Sequence, residues 1–172
     1  MSIQSKYIEK CNTSSDINEN LPYLMEYASR YSTIVEMGVR SIVSTWALLV
    51  AKPKKLTSID IAHPSSYGAN LNEVYQLTNE EGIEFNFIQA DTHNITIEEC
   101  DMLFIDTIHT YAHLSKELEL HAGKVKHCLA FHDTTSCPEV YTAILDFIQK
   151  NPSWRIDSHR EKNNGLLFLV KD

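Results

Sequence analysis

The feature that most constrains this chain is an alternation. From about residue 33 onward, short runs rich in β-branched and aromatic residues alternate with stretches of helical period. The runs are Thr33–Met37, Leu56–Ile59, Phe85–Gln89, Met102–Ile105, Cys128–Phe131, Trp154–Ile156 and Leu166–Val170. Strands separated by helices run parallel, because the crossover helix carries the chain back to the edge from which the strand started. Seven such strands predict one doubly wound α/β domain.

The intervening stretches support this reading. Leu21, Leu24, Met25 and Ala28 recur at helical spacing, as do Leu71, Val74 and Tyr75. Tyr111, Leu114, Leu118 and Ala122 form a stripe that stops at Gly123. Val140, Ala143, Ile144, Phe147 and Ile148 form another, entered through Ser136 and Pro138 and closed by Asn151-Pro152. Ile42 to Ala51 is apolar on nearly every side, which suits a helix packed between sheet and neighbouring helices. No linker, repeat or low-complexity tract divides residues 1–172. The chain reads as a single domain with an N-terminal helical extension over 1–32 and a core over 33–172, its first helix expected near Leu21.

A hydrophobic fraction of 43% is enough for a folded core. The net charge of −8, without a Lys/Arg cluster, argues against nucleic acid and anionic membranes as partners, leaving a small molecule. Cys11, Cys100, Cys128 and Cys137 form no CxxC pair. The polar stretch Met1 to Asn20 has no apolar signal core, and no long apolar run suggests a membrane span; the expected setting is cytoplasmic.

In an open parallel sheet, ligands bind beyond the carboxyl ends of the strands, near the point where strand order reverses. Polar residues cluster there. Glu36-Met37-Gly38 ends the first strand, Asp60 the second, Asp91 the third, Asp106 the fourth and His132-Asp133 the fifth. A single Asp would read as a helix cap, but acids after five successive strands surround one crevice, where their repulsion calls for a cation, donors or protons. Gly38 lets the backbone approach a ligand, with Ser44 and Thr45 on the helix that follows, and Asp60 stands where an acid takes ribose hydroxyls. The pairing points to an adenosine-containing cofactor. There is no GxGxxG and no Walker lysine loop, which disfavours dehydrogenases and common nucleotide hydrolases.

The densest chemistry lies in Phe104-Ile105-Asp106-Thr107-Ile108-His109-Thr110-Tyr111 and Ala130-Phe131-His132-Asp133-Thr134-Thr135. Asp106, His132 and Asp133 can converge as oxygen and nitrogen ligands on one divalent cation, with His109 placed to take a proton from a metal-activated hydroxyl. The alternatives are that His109 caps the next helix and His132 is a buried, hydrogen-bonded histidine. His113 and His121 read as surface or packing residues. On its own this cluster also fits a metal-dependent hydrolase.

Taken together, Ser15-Asp16-Ile17-Asn18-Glu19-Asn20-Leu21, Val35-Glu36-Met37-Gly38-Val39-Arg40 with Ser44-Thr45-Trp46, Ser58-Ile59-Asp60, Gln89-Ala90-Asp91, Leu103-Phe104-Ile105-Asp106 with His109-Thr110-Tyr111, Phe131-His132-Asp133-Thr134 and Asn163-Asn164-Gly165-Leu166 carry a likeness. In order and spacing the chain resembles the class I S-adenosylmethionine-dependent methyltransferases, in particular the small-molecule O-methyltransferases that modify sugars and macrolides. The resemblance implies a Rossmann-like, mostly parallel seven-stranded sheet with helices on both faces and the last strand antiparallel. It implies S-adenosyl-L-methionine as cofactor, with Glu36, Gly38 and the turn after them at the methionine end, Asp60 at the ribose and Asp91 with its neighbours at the adenine; Ser44, Thr45, Ile61 and Asp106 complete the expected cofactor-binding set. In metal-dependent relatives the positions of Asp106 and Asp133 bind Mg²⁺ or Mn²⁺ and that of His109 is the general base, which makes His109 and Asp106 the catalytic candidates here and His132 the third metal ligand.

Three positions depart from the pattern. Ile42 stands for the second glycine of the cofactor loop, Thr107 for the glycine after the fourth-strand Asp, and Lys126-His127 for the glycines before the fifth strand. These motivate a rival expectation, a cofactor-binding protein without catalysis. With no insertion long enough for a lid, the acceptor site is expected to be open or completed by a second copy in a homodimer.

Overall fold

A computed structural model describes all 172 residues. Two helices, α1 (Ile3–Asn12) and α2 (Leu21–Ala28), precede β1 (Thr33–Met37); then come α3 (Val43–Val50), β2 (Lys55–Asp60), α4 (Leu71–Glu81), β3 (Glu84–Gln89), β4 (Cys100–Ile105), α5 (Tyr111–His121), β5 (Val125–His132), α6 (Pro138–Lys150), β6 (Trp154–Arg160) and β7 (Leu166–Lys171). The single seven-stranded sheet runs β3-β2-β1-β4-β5-β7-β6, so strand order reverses between β1 and β4. β1 to β5 pair in parallel, while β7 is antiparallel to both β5 and β6, as expected for the last strand. It can be antiparallel because β6 and β7 are joined by a hairpin, which needs no helix. That hairpin turns through three left-handed residues, Asn163, Asn164 and Gly165.

The first apolar run coincides with β1, and each of the other six lies inside a strand that extends beyond it. β6 extends furthest, to Arg160, because an edge strand is only partly buried and the polar residues Asp157 to Arg160 continue its ladder without the apolar signal. α1 was not expected. It buries only Ile3 and Tyr7, one narrow line on an otherwise polar helix, and its start is marked by Ser2, which forms a capping box with Ser5. No helix is long and apolar enough to cross a membrane, and all four cysteines are free thiols.

One face of the sheet (Ile34, Leu56, Phe85, Met102, Phe104, Phe168) packs against α1 to α4 through Leu21, Leu24, Trp46, Leu49 and Val74. The other (Val35, Met37, Leu103, Ile105, Leu129, Phe131, Leu167) packs against α5 and α6 through Leu114, Leu118, Val140 and Ile144. Helices therefore lie on both faces, but coverage of the second is incomplete. The β3–β4 connection has only a 3-10 turn at Thr92–Asn94, leaving an open groove of about 590 Å³ over β1–β3, lined by Val35, Thr57, Ile59, Phe87 and Ile88.

The polar turn Ser15–Asn20 locks onto the β6–β7 hairpin. Asn20 Nδ2 donates to the carbonyls of Lys162 and Asn163, and Asn163 Nδ2 donates to that of Ser15. The amides of Thr135 and Ser136 donate to Asn164 O, tying in the β5–α6 turn. Gly165 makes this fit: at φ +97, an added Cβ would stand 2.5 Å from the hydroxyls of Thr134 and Thr135. Gly165→Ala is expected to cost about 2 kcal/mol or more of stability, against about 1 kcal/mol or less for Gly82→Ala, which has positive φ but open space. Denaturant unfolding of both variants checks the order.

Candidate functional site

Two adjoining hollows lie across the carboxyl ends of β1 to β4, where strand order reverses. They share Gly38, Arg40, Asp60, Asp106 and Thr107 as walls. The larger, about 410 Å³, is also lined by Ile61, Tyr67, Asp91 and His93. The smaller, about 140 Å³, is also lined by Asp16, Ser44, His109 and Asp133.

The floor is set at Gly38. Its amide donates to Ile59 O, and the Asp106 amide donates to Met37 O, so the ends of β1, β2 and β4 are laced together. At φ +86, an added Cβ on Gly38 would come within 1.9 Å of Asp106 O. Beyond it the loop turns through left-handed Arg40 and Ile42. Asp60 Oδ2 accepts from the amides of Val39 (2.7 Å) and Arg40 (2.9 Å), and its Oδ1 from that of Ala62 (2.9 Å). Asp60 thus lines the crevice as expected and also holds the loop in shape. Ile42 makes the turn of a glycine while its side chain is 4% exposed and packs into the core. It does not enter the crevice.

Of Glu36, Ser44 and Thr45, two require a correction: Glu36 and Thr45 line neither hollow. Glu36 is fully buried in mid-sheet, where it accepts hydrogen bonds from Ser44 Oγ (2.6 Å), Thr45 Oγ1 (2.9 Å) and Ser58 Oγ (2.6 Å). These groups satisfy one another instead of facing a ligand; of the three, only Ser44 touches the hollow. Burial raises Glu36 to about 7, overcoming the pull of the hydroxyls of Ser44, Ser58 and Thr45 toward the ionised form.

Asp91 lies on the crevice wall, where its carboxylate caps the 3-10 turn by accepting from the His93 amide and Asn94 Nδ2. Behind that wall stands a residue the sequence did not single out. Glu117 of α5 is wholly buried and accepts from Thr92 Oγ1 (2.6 Å), Thr107 Oγ1 (2.8 Å) and His113 Nε2 (3.2 Å). It joins the loops after β3 and β4, and it explains Thr107, whose hydroxyl has a partner that glycine would lack. His121 packs beneath, its Nε2 donating to Thr92 O (2.7 Å). Lys126 and His127, the third departure, lie exposed within β5.

At the ends of β4 and β5, Asp106, His109, His132 and Asp133 converge. His109 Nε2 lies 3.3 Å from Asp106 Oδ1 and 2.9 Å from Asp133 Oδ2; His132 Nδ1 lies 3.4 Å from Asp106 Oδ2 and 3.2 Å from Asp133 Oδ2. The cap of α5 is Thr110, not His109. His132 Nε2 faces the carbonyls of Asp16 (3.1 Å) and Asn163 (3.3 Å), and since carbonyls only accept, that nitrogen carries a proton. Nδ1 is buried without an aligned hydrogen bond, although both carboxylates lie within ion-pair range.

Hydrogen bonds donated to the Asp106 and Asp133 carboxylates raise His109 to about 10. Burial opposes charge on His132, but the same carboxylates outweigh it and raise that ring to about 10 as well. Burial likewise disfavours ionised Asp106 and Asp133, yet His109 and His132 hold both below the usual carboxylate range. Without a cation, therefore, the cluster is a pair of protonated imidazoles on a pair of carboxylates.

No family model and no curated protein matches the chain. Solved structures do. A Staphylococcus aureus protein provisionally assigned as a caffeoyl-CoA O-methyltransferase aligns with a TM-score of 0.69 at 15% identity, over 90% of this chain and 83% of that one. The Podospora anserina methyltransferase PaMTH1, bound to S-adenosylhomocysteine, aligns at 0.66 and 10% identity, over 99% and 87%. Magnesium protoporphyrin IX methyltransferase from Synechocystis PCC 6803, with the same ligand, aligns at 0.64 and 11%, over 98% and 94%. The chain has the Rossmann-like fold of class I methyltransferases.

Two outcomes follow for the buried acids. Folded Glu36 stays protonated to about pH 7, while the unfolded residue ionises near 4.5, so its contribution to stability falls as pH rises across that window. Glu36→Gln does not titrate, so its stability relative to the parent should improve by up to about 3 kcal/mol between pH 4.5 and 7.5 in urea unfolding; a constant difference would contradict this. Glu117→Ala should cost about 2–4 kcal/mol, and Glu117→Gln much less, because the amide can still accept from His113 and donate to a threonine hydroxyl.

Proposed function

We propose that this protein is an S-adenosylmethionine-dependent methyltransferase acting on a hydroxyl of a small molecule, a sugar among the candidates, with a divalent cation held by Asp106, His132 and Asp133. One observation carries the reading: Asp106 is at once a wall of the nucleoside-sized crevice and a member of the Asp/His cluster, so a bound cofactor and an activated hydroxyl would meet at one residue.

The residues fit both groups. The larger hollow lies within the ~300–1,000 Å³ of small-molecule sites and has Ile61 and Tyr67 as an apolar wall for a purine. Asp106 Oδ2 and Asp133 Oδ2 stand 3.4 and 3.2 Å from His132 Nδ1. Oxygen and nitrogen ligands about 2.1 Å from one small cation, at right angles, lie about 3 Å apart. Nε2 keeps its proton for the two carbonyls, so Nδ1 is the nitrogen that would give up its proton and turn a lone pair to a cation at that point, the usual way a protein orients a histidine ligand.

The cofactor supplies a methyl group on a sulfonium, open to in-line attack, and a cation supplies acidity to a bound hydroxyl. The chain's own residues do the rest. Gly38 and the loop held by Asp60 shape the floor under the methionine end. Asp106 and Asp133 orient the acceptor oxygen, and His109, 40% exposed and hydrogen-bonded to both, takes its proton. With a cation held by those carboxylates, their pull on the His109 proton would weaken, and the ring would be free to act as a base. The three departures from glycine do not argue for a binding-only protein: Ile42 points into the core, Thr107 is bonded to Glu117, and Lys126 and His127 face outward.

Calorimetric titration with S-adenosylhomocysteine in the presence of Mn²⁺ should give affinity near micromolar, weakened at least tenfold in Asp60→Ala; no heat at millimolar ligand would sink the reading. With an acceptor found, His109→Ala should lower turnover by about 10²–10⁴-fold and leave S-adenosylhomocysteine binding intact. Chelator-sensitive hydrolysis without S-adenosylmethionine would instead favour a hydrolase.

A further inference from the structure

Asp133 belongs to two groups of ligand atoms. One is the set with Asp106 and His132; the other is His109, Asp133 and Cys137, whose donor atoms lie within 4.8 Å of one another. The second set differs in kind, combining nitrogen, oxygen and sulfur, which suits a soft or borderline ion better than Mg²⁺. We propose that His109, Asp133 and Cys137 form a second cation position, specific for Zn²⁺ and similar thiophilic divalent ions, that shares Asp133 with the oxygen-rich position.

The backbone prepares this geometry. The Cys137 amide donates to Asp133 O (3.0 Å), so the two side chains are held at the ends of one tight turn between β5 and α6. Ser136 Oγ donates to Asp133 Oδ1 (2.6 Å) and lies 3.7 Å from Cys137 Sγ, which fixes the carboxylate beside the sulfur. His109 arrives from the β4–α5 loop with Nε2 already 2.9 Å from Asp133 Oδ2. Cys137 occupies the N-cap of the 13-residue α6 and makes no side-chain capping hydrogen bond. On ligation the thiol gives its proton to solvent and forms a dative bond, without redox change.

His132, 2% exposed, closes the corner from the other side, with Nδ1 3.2 Å from the same Asp133 Oδ2 that faces His109. The remaining His/Glu trio, His93, His113 and Glu117, lacks such features. The His93 and His113 rings stack at 4.0 Å and 24°, so their in-plane lone pairs do not converge, and the Glu117 oxygens are taken by hydroxyls. Three protein ligands leave a zinc ion an open fourth place. Where the methyl-transfer reading holds, an ion there removes His109 as a base, so zinc would inhibit. The binding claim itself stands without that reading.

The test is Cd²⁺ titration of the full chain in a phosphine reductant, read by ultraviolet sulfur-to-cadmium charge transfer. One equivalent should saturate the band in the parent and in Cys11→Ser. The band should disappear in Cys137→Ser, and affinity should fall at least tenfold in His109→Ala. No band, a band that follows Cys11, or one indifferent to His109 would overturn the proposal. Should Cys137→Ser fail to fold, alkylation of the parent by iodoacetamide decides: Cd²⁺ should slow labelling of Cys137 at least tenfold while leaving Cys11 unchanged, and equal rates with and without the ion would refute the site.

Discussion

Everything at the carboxyl edge of this sheet depends on how closely the backbone of Gly38 lies against that of Asp106. The chain leaves β1 with a positive φ and no side chain, so β1 and β4 end flush with each other at the point of strand-order reversal. Had a Cβ intervened, Asp106 would be pushed outward, and with it the residue that both walls the crevice and anchors the Asp/His cluster. The neighbouring loop is then fixed by Asp60, which spends its carboxylate on three backbone amides.

The protein holds its buried acids in two opposite ways. Glu36 and Glu117 sit in rings of hydroxyls and a histidine, inside the sheet and behind the crevice, where they join elements. Asp106 and Asp133 face histidines and are held ionised, within reach of a ligand. The first kind contributes rigidity, while around the second the facing histidines are poised to exchange their protons for a cation. The polar turn at Ser15–Asn20 and the Asn163–Gly165 hairpin serve that second group, since their carbonyls orient His132.

Much of this was legible in the sequence because burial in a parallel sheet writes itself as apolar runs, and acids after the runs mark the edge where ligands bind. The seven strands and the convergence of Asp106, His109, His132 and Asp133 could be anticipated from these runs, while the antiparallel last strand was implied only by the resemblance to class I methyltransferases. The direction of side chains around an all-apolar helix could not, and this is why Ser44 and Thr45 turned out to serve Glu36. Glu117 sits between Lys116 and Leu118 on a helix with Glu119 nearby, and reads as a solvated charge; only its partners Thr92 and Thr107, distant in sequence, disclose that it is buried. α1 escaped because two buried residues on a polar helix make too thin a stripe.

The central claim is that the crevice and the Asp/His cluster are parts of one site. Proton NMR of S-adenosylmethionine with the protein, titrated with Mn²⁺, tests it directly, since a paramagnetic ion broadens only nearby nuclei. The account predicts strong broadening of the sulfonium methyl signal, abolished in Asp133→Asn. A bound cofactor whose methyl signal is untouched by protein-bound Mn²⁺ would contradict it.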